Sequence, residues 1–133
     1  MVYKVAAGHG VVKLGKYEQR NGREFICCEV IANGMTILHP LTTPYPLRDI
    51  SSKETFKIVD QIIAQTNHKP DNSTWNKRYR DYMVKIKGSN IIEIAEIVRD
   101  LTLLEKTKSL SFGERKMLGQ CKSLIELERQ YSK

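Results

Sequence analysis

The feature that most constrains the fold of this chain is a change of periodicity near residue 50. Residues 11–40 are rich in Val, Ile, Tyr and Phe and contain two hairpin signals, Asn21-Gly22 and Asn33-Gly34. Each pair suits a type I′ turn, because both central residues of that turn need positive φ, which Asn and Gly tolerate best. Beyond residue 50 the apolar residues recur at helical spacings of three and four. This change predicts a small antiparallel sheet followed by helices.

The N-terminal part, residues 1–50, is predicted to form one β domain, with three short antiparallel strands between residues 11 and 40 joined by these turns. So short a segment cannot bury both faces of a sandwich, and a small curled sheet or an SH3/Tudor-like β-barrel is favoured. Residues 41–47 contain Pro44 and Pro46. Because a proline disfavours the helical region for the residue before it, this segment is expected to be an extended crossing.

The C-terminal part, residues 51–133, is predicted to form a compact four-helix domain. Two capping boxes, Ser51–Glu54 and Ser111–Glu114, place a serine at a helix N-cap with a glutamate three residues later. The predicted helices begin at Ser51, at Ser73 or Thr74, at Ser89 or Asn90, and at Ser111, and the second ends at Gly88. The predicted fold class is therefore α+β, with a β-barrel domain preceding a helical bundle.

Charge narrows the class of partner. The chain has 22 Lys and Arg against 15 Asp and Glu, a net charge of +7, and a pI near 9.4. Such a balance favours a polyanionic partner, nucleic acid first and an acidic protein surface second. No apolar run approaches the length of a membrane span, and the N-terminus lacks the order of a signal peptide. We expect a soluble cytoplasmic protein with no membrane partner.

The cysteines and histidines give no sign of a metal or cofactor site. Cys27, Cys28 and Cys121 include no C-x-x-C pair, and the three histidines are scattered without metal-ligand spacing. We expect reduced cysteines that serve packing. Neither a phosphate-binding glycine loop nor a nucleophile with a base at a recognisable spacing is present, so an enzyme is not expected.

The densest charge surrounds the sole tryptophan, in STWNKRYR at residues 73–80. At about 100° per residue, one side of the second helix carries Trp75, Tyr79, Tyr82, Met83 and Ile86, and the other carries Lys77, Arg78, Arg80, Lys85 and Lys87. Trp75 can be a core anchor opposite a solvated basic face. It can also be a wedge for a nucleic-acid groove, flanked by cations that hold phosphates, and its place beside residues 70–72 suits that second interpretation. The spacing leaves both open.

Three blocks resemble the helical domain of the CarD/CdnL family of bacterial RNA polymerase-binding transcription regulators. They are TWNKRYR at 74–80, IAEIVRDL at 94–101 and LSFGERKML at 110–118, and LRDI at 47–50 resembles the family's junction. The N-terminal half departs from the family. Ala6-Ala7 replace a Tyr-Pro pair, the first hairpin is shorter, and Leu38 stands where a basic residue is common.

The resemblance implies a division of labour. The β-barrel is expected to dock on the lobe of the RNA polymerase β subunit, largely through a strand edge, with contacts at Arg20, Thr36, Ile37 and Leu38. The helical domain is expected to bind promoter DNA at the upstream edge of the bubble, with weak sequence preference. Trp75 would be the wedge in the minor groove, with Lys77, Arg78 and Arg80 on the backbone. Lys85 and Lys87 are added from charge and helical position alone.

The implied function is stabilisation of the open promoter complex by a monomer, associated with the nucleoid through polymerase. One alternative is a protein-interaction module that binds polymerase or another partner without contacting DNA. Another is a general nucleic-acid coat protein, which would bind DNA equally well without polymerase. The target promoters, and whether the net effect is activation or repression, are left open.

Overall fold

A computed structural model of the chain describes residues 2–69 and 73–133. Within these ranges the strands are β1 Tyr3–Ala6, β2 Gly10–Arg20, β3 Arg23–Val30 and β4 Thr36–Pro40. The helices are α1 Lys53–Ile63, α2 Trp75–Gly88, α3 Ile91–Glu105 and α4 Phe112–Tyr131. The predicted α+β class is confirmed. Below, residues 2–50 are called the sheet unit, and residues 51–69 with 73–133 the helical unit; a domain boundary at residue 50 stays a prediction.

The sheet is an antiparallel meander in the order β1-β2-β3-β4. It curls into a half-barrel, with β1 and β4 as its edge strands. β1 lies outside the segment for which strands were predicted. It pairs with the start of β2, from Tyr3 opposite Lys13 to Ala6 opposite Gly10.

The two predicted turns have different outcomes. At the first, Asn21 has φ 52° and Gly22 has φ 75°, so both central residues adopt positive φ as predicted. At the second, Gly34 has φ 73°, but Asn33 is not among the positive-φ residues of the described chain. The Asn33 side chain instead accepts a hydrogen bond from the Met35 backbone N–H at 3.0 Å. A type I′ turn there is a wrong prediction, because the asparagine forms an Asx turn in a longer connection.

Each unit has its own apolar core. The sheet core consists of Ala6, Val12, Ile26, Cys28 and Val30. α3 is the centre of the helical core, because most of its residues are buried between the other helices. That core includes Phe56 and Val59 of α1, Ile86 of α2, Ile94, Val98 and Leu101 of α3, and Met117, Cys121 and Ile125 of α4.

The helix N-termini largely follow the capping signals. The Ser111–Glu114 capping box is confirmed, with both of its reciprocal hydrogen bonds present. The first predicted box does not form: the N-cap of α1 is Ser52, one residue later, and it accepts a hydrogen bond from the Thr55 backbone N–H at 3.2 Å. The predicted cap at Ser51 is therefore wrong. Its backbone N–H donates instead to Glu128 of α4 at 2.8 Å.

Candidate nucleic-acid interface

Trp75 opens α2 and lies against the first turn of α4. Its indole is half-buried and packs on the edge of the helical core. A Cβ atom on Gly113 would lie 3.1 Å from the indole Nε1 and 3.4 Å from both Cε2 and Cζ2. The absence of a side chain at Gly113 thus leaves the space that the ring needs. The first turns of α2 and α4 meet at this contact.

Two tyrosines of α2 border the indole ring. The Tyr79 ring packs edge-on to it at 5.7 Å between centroids, and the Tyr82 ring is tilted at 6.3 Å. Tyr82 is buried, whereas Tyr79 is 46% exposed. The aromatic stripe predicted from the sequence therefore runs from the core to the surface, with Trp75 between its buried and exposed members.

Arg78 is buried, although the helical wheel predicts it among the exposed cations. Only 3% of the residue is exposed. Its Nη2 donates to Glu114 Oε2 at 2.9 Å, and its Nε donates to the Ser73 carbonyl at 3.0 Å. The guanidinium carbon lies 5.2 Å from the centroid of the Trp75 ring. The predicted placement is wrong because residues three apart share a helix face, so Arg78 follows Trp75 towards α4.

Glu114 of α4 is the ion-pair partner that fixes the position of Arg78. Its Oε1 accepts the Ser111 backbone N–H at 2.9 Å, while its own N–H donates to Ser111 Oγ at 3.2 Å. Burial alone would raise the pKa of Glu114, but the hydrogen bonds from Ser111 and Arg78 lower it below its usual value. The carboxylate is therefore charged at neutral pH. It forms a buried ion pair that fixes Arg78 beside the indole.

The remaining predicted cations of α2 lie on or near the surface. Lys77, Arg80 and Lys87 are exposed, and Lys85 is half-buried. Asp81 is the only acid of α2. The exposed face of α2 is thus strongly positive, with the half-buried indole at its N-terminal end.

The first turns of α4 add a second group of exposed residues that the sequence reasoning missed. Phe112 is 75% exposed and precedes the glycine on which the indole rests. Arg115 and Lys116 are also exposed and share the helix face of Phe112, three and four positions on. Helical spacing could have predicted their exposure, because Glu114, Met117 and Leu118 occupy the opposite face of α4 and are buried. We call Trp75, Tyr79 and Phe112, with the exposed cations Lys77, Arg80, Arg115 and Lys116, the α2–α4 surface.

The predicted polymerase contacts lie in two places on the sheet. Thr36, Ile37 and Leu38 belong to the edge strand β4, opposite Glu29, Cys28 and Cys27. Arg20 stands at the tip of the β2–β3 hairpin, opposite Arg23, and forms an exposed ion pair with Glu18 at 3.1 Å. Along β3 the distance from Arg20 to Leu38 is roughly 13 Å and to Thr36 roughly 20 Å. The sheet therefore does not bring Arg20 together with the other three.

Other chemistry is sparse in the described part of the chain. Across residues 2–69 and 73–133, no group of three His, Cys, Asp or Glu side chains is close enough to hold a metal ion. Burial raises the pKa of Cys121 to about 12, so this thiol stays protonated. No helix within the same ranges has the length and apolar character to cross a membrane. Residues 70–72, whose position next to Trp75 suits the wedge interpretation, lie outside the described residues.

Comparison with known proteins bears on the helical unit. A family model described as CarD, C-terminal domain, matches residues 58–132, more than half of the chain. A protein of Bacillus subtilis (strain 168) named "Putative transcription factor YdeB" is 43% identical over 56 residues. That stretch is 41% of this chain and 37% of the Bacillus protein, so the chain covers just over a third of that relative.

Proposed function

The chain belongs to the CarD family of transcription regulators and has a transcription-related role, and on this premise we propose that it stabilises the open promoter complex. In this proposal the sheet unit binds the RNA polymerase β subunit. The α2–α4 surface binds promoter DNA at the upstream edge of the bubble, and Trp75 is the wedge. The protein acts as a monomer, without cofactor or catalytic step, in the cytoplasm and on the nucleoid through polymerase.

The observation that carries the proposal is the packing of the Trp75 ring against residues of α2 and α4. The ring lies against Gly113 of α4, and it also contacts the Arg78 guanidinium and the buried Tyr82 ring. A residue that only filled the core would not need this support at the surface. A wedge needs it, because unstacking a base step costs about a few kcal/mol and a loosely held ring would yield first.

Phosphate contacts are assigned to the exposed cations of the same surface. Lys77 and Arg80 follow Trp75 by two and five positions and are exposed on α2, and Arg115 and Lys116 are exposed three and four positions after Phe112 on α4. Lys85 and Lys87 continue the positive face toward the end of α2. Arg78 is reassigned: its guanidinium is buried against Glu114, so its part in the proposal is to position Trp75. Each phosphate contact should make the slope of log affinity against log salt more negative by about 0.9.

The edge of β4 is the proposed docking site for polymerase. Backbone groups on the outer side of an edge strand can pair with a strand of another protein, and such pairing tolerates changes of side chain. The outer edge of β1 is occupied at Val5, which forms a backbone bridge with Arg48. Thr36, Ile37 and Leu38 are therefore the stronger candidates, and Arg20 would need a separate contact at the hairpin tip.

The decisive experiment is the half-life of competitor-resistant promoter complexes, formed with the housekeeping RNA polymerase of the source bacterium. The wild-type protein should lengthen this half-life. Trp75→Ala should shorten it about tenfold relative to wild type, which corresponds to a loss of about 1.4 kcal/mol of stabilisation. Binding to polymerase should be unchanged, because the substitution is remote from β4.

A matched control is Ile58→Ala, which truncates an exposed apolar side chain on α1. It should leave the half-life at the wild-type value. A folded Trp75→Ala variant with the wild-type half-life would overturn the wedge. Polymerase binding without any footprint at the upstream fork would instead favour the protein-interaction module, and equal binding to DNA without polymerase would favour the coat protein.

A further inference from the structure

Arg48 lies in the segment that joins the sheet unit to the helical unit, and its backbone is part of the sheet. The Val5 N–H donates to the Arg48 carbonyl at 2.8 Å, and the Arg48 N–H donates to the Val5 carbonyl at 3.0 Å. This antiparallel bridge extends the sheet beyond β1 by one residue. The backbone of Arg48 therefore moves with the sheet.

The side chain of Arg48 reaches into the helical unit at two points. Its Nε donates to the Ser89 carbonyl at 2.6 Å, at the turn between α2 and α3. Its Nη1 and Nη2 donate to the two oxygens of Glu128 on α4, at 2.9 and 2.7 Å. The paired geometry uses the planar fork of arginine, which lysine cannot reproduce.

Glu128 is suited to hold a cation in place. It is 3% exposed, and it also accepts the Ser51 backbone N–H at 2.8 Å. Burial by itself would raise the pKa of Glu128, but the hydrogen bonds from Arg48 and Ser51 lower it. The carboxylate lies in the last turns of α4, where the helix dipole disfavours a negative charge. Its charge is therefore stabilised by the joining segment and not by its own helix.

The surrounding contact between the two units is tightly packed. A Cβ atom on Gly10, at the start of β2, would lie 2.9 Å from Leu124 Cδ2 of α4, so a larger residue would require the Leu124 side chain to shift. The Tyr3 and Tyr131 rings meet at 4.6 Å between centroids. A cavity between the units, lined by Val5, Arg48 and Glu128 among others, has about 10 Å³. That is room for about one water molecule at most.

From these contacts we infer that Arg48 and Glu128 are positioning residues that make the sheet unit and the helical unit one rigid body, so that docking of the sheet fixes where Trp75 meets DNA. The inference rests on the proposed function for its consequence, but the rigidity itself does not. The gain from tethering two binding surfaces depends on whether the linkage holds them at the right separation. A loose junction would leave each surface able to bind and would weaken their combined effect.

The rigidity is tested by nuclear magnetic resonance relaxation of the backbone amides of the full chain. In the wild-type protein, amides of β2 and β3 should give the same rotational correlation time as those of α3. In Glu128→Gln, which keeps the shape but removes the charge, the two units should give separate and shorter times. Asp60→Asn is the matched control, because Asp60 forms a similar paired contact with Arg129 that lies wholly within the helical unit.

The consequence for function is tested with the promoter-complex half-life, at saturating protein and well below the unfolding temperature. Glu128→Gln should shorten the half-life several-fold while its affinity for polymerase stays at the wild-type value. Asp60→Asn should change neither. Arg48→Lys, which keeps the charge and the backbone bridge to Val5 but loses the fork, is the second variant in case Glu128→Gln does not fold, and it should act in the same direction.

The outcomes separate the inference from the function on which it rests. The inferred rigidity would be overturned if the two units of the wild-type protein tumbled independently. It would also be overturned if folded Glu128→Gln and Arg48→Lys each gave a single correlation time for both units. Loosened variants with an unchanged half-life, in an assay where Trp75→Ala shortens it, would overturn the positioning role. If wild-type protein had no effect on the half-life, the proposed function would fail, and the relaxation data would still decide whether the units are joined rigidly.

Discussion

Each end of α4 carries a buried glutamate paired with an arginine, but the other groups that stabilise the carboxylate differ between the two ends. Glu114 in the first turn pairs with Arg78 of α2, and Glu128 near the last turn pairs with Arg48 of the joining segment. Both glutamates are 3% exposed. The two are separated by fourteen positions, about 21 Å along the helix. One pair borders the Trp75 indole, and the other joins the helices to the sheet.

The difference lies in what each carboxylate has besides its arginine. Glu114 is at the positive end of the helix dipole and belongs to a capping box, and Lys108 Nζ lies 3.9 Å away. Glu128 is at the negative end and depends on Arg48 and Ser51. A buried carboxylate is thus expected to be robust at the first end of α4 and dependent on one partner at the second.

The largest expected effect comes from removing the arginines. Arg48→Ala should lower the free energy of unfolding by about 3 kcal/mol or more, because it strands a buried charge at an unfavourable helix end. Arg78→Ala should cost less, since Ser111, the helix dipole and Lys108 still support Glu114. Chemical denaturation of both variants measures the difference.

Arg129→Ala is the control for this comparison. Arg129 pairs with Asp60 at an exposed site, so its loss should cost about 0–1 kcal/mol. A larger loss of stability in Arg78→Ala than in Arg48→Ala would contradict the view that local support protects Glu114.

A smaller effect is expected on the dependence of stability on pH. The pKa of each glutamate is lowered from 4.5 in the folded chain. Each therefore contributes stability that is fully present above pH 4.5 and is lost as the pH falls through the folded pKa. Between neutral and acid pH, the free energy of unfolding should depend less steeply on pH in Glu114→Gln and in Glu128→Gln than in the wild type. A wild-type slope in both variants would show that neither carboxylate is linked to acid unfolding.

The two glutamates also show how far the sequence could lead. Ser111 and Glu114 are three residues apart, so the capping box was visible in the chain and was predicted correctly. The Asn21-Gly22 turn was predictable for the same reason, since its conformation depends on two adjacent residues. The burial of Arg78 could also have been predicted from its spacing to Trp75. Patterns within one helix or one turn therefore predict both fold and part of the site.

Contacts between distant segments could not be predicted in this way. Ser51 was expected to cap α1, but its N–H is bound by Glu128, 77 positions along the chain. Nothing in the spacing around Glu128 distinguishes it from a surface glutamate of an amphipathic helix. Its role depends on the approach of the joining segment to α4, which only the tertiary structure supplies. The contact between Gly113 and the indole has the same origin.

The smallest expected effect comes from substitutions at two glycines of α4. They test the contact between Gly113 and the Trp75 ring separately from the Arg78–Glu114 ion pair. Among the described residues, a Cβ atom on Gly119 would have no neighbour within 4 Å, whereas one on Gly113 would meet the indole. Replacing an exposed helical glycine by alanine stabilises a helix by about 0.5–1 kcal/mol. Gly119→Ala should give that gain, and in Gly113→Ala displacement of the ring should offset most of it.

Fluorescence reports on the displacement directly, because Trp75 is the sole tryptophan of the chain. Gly113→Ala should shift the emission to longer wavelength as the half-buried ring moves toward solvent, and Gly119→Ala should leave it unchanged. The promoter-complex half-life should fall in Gly113→Ala alone, although both arginine–glutamate pairs are intact. If Gly113→Ala stabilised the chain as much as Gly119→Ala with the same emission, the ring would not rest on α4. Support of the wedge would then fall to Arg78 and Tyr82.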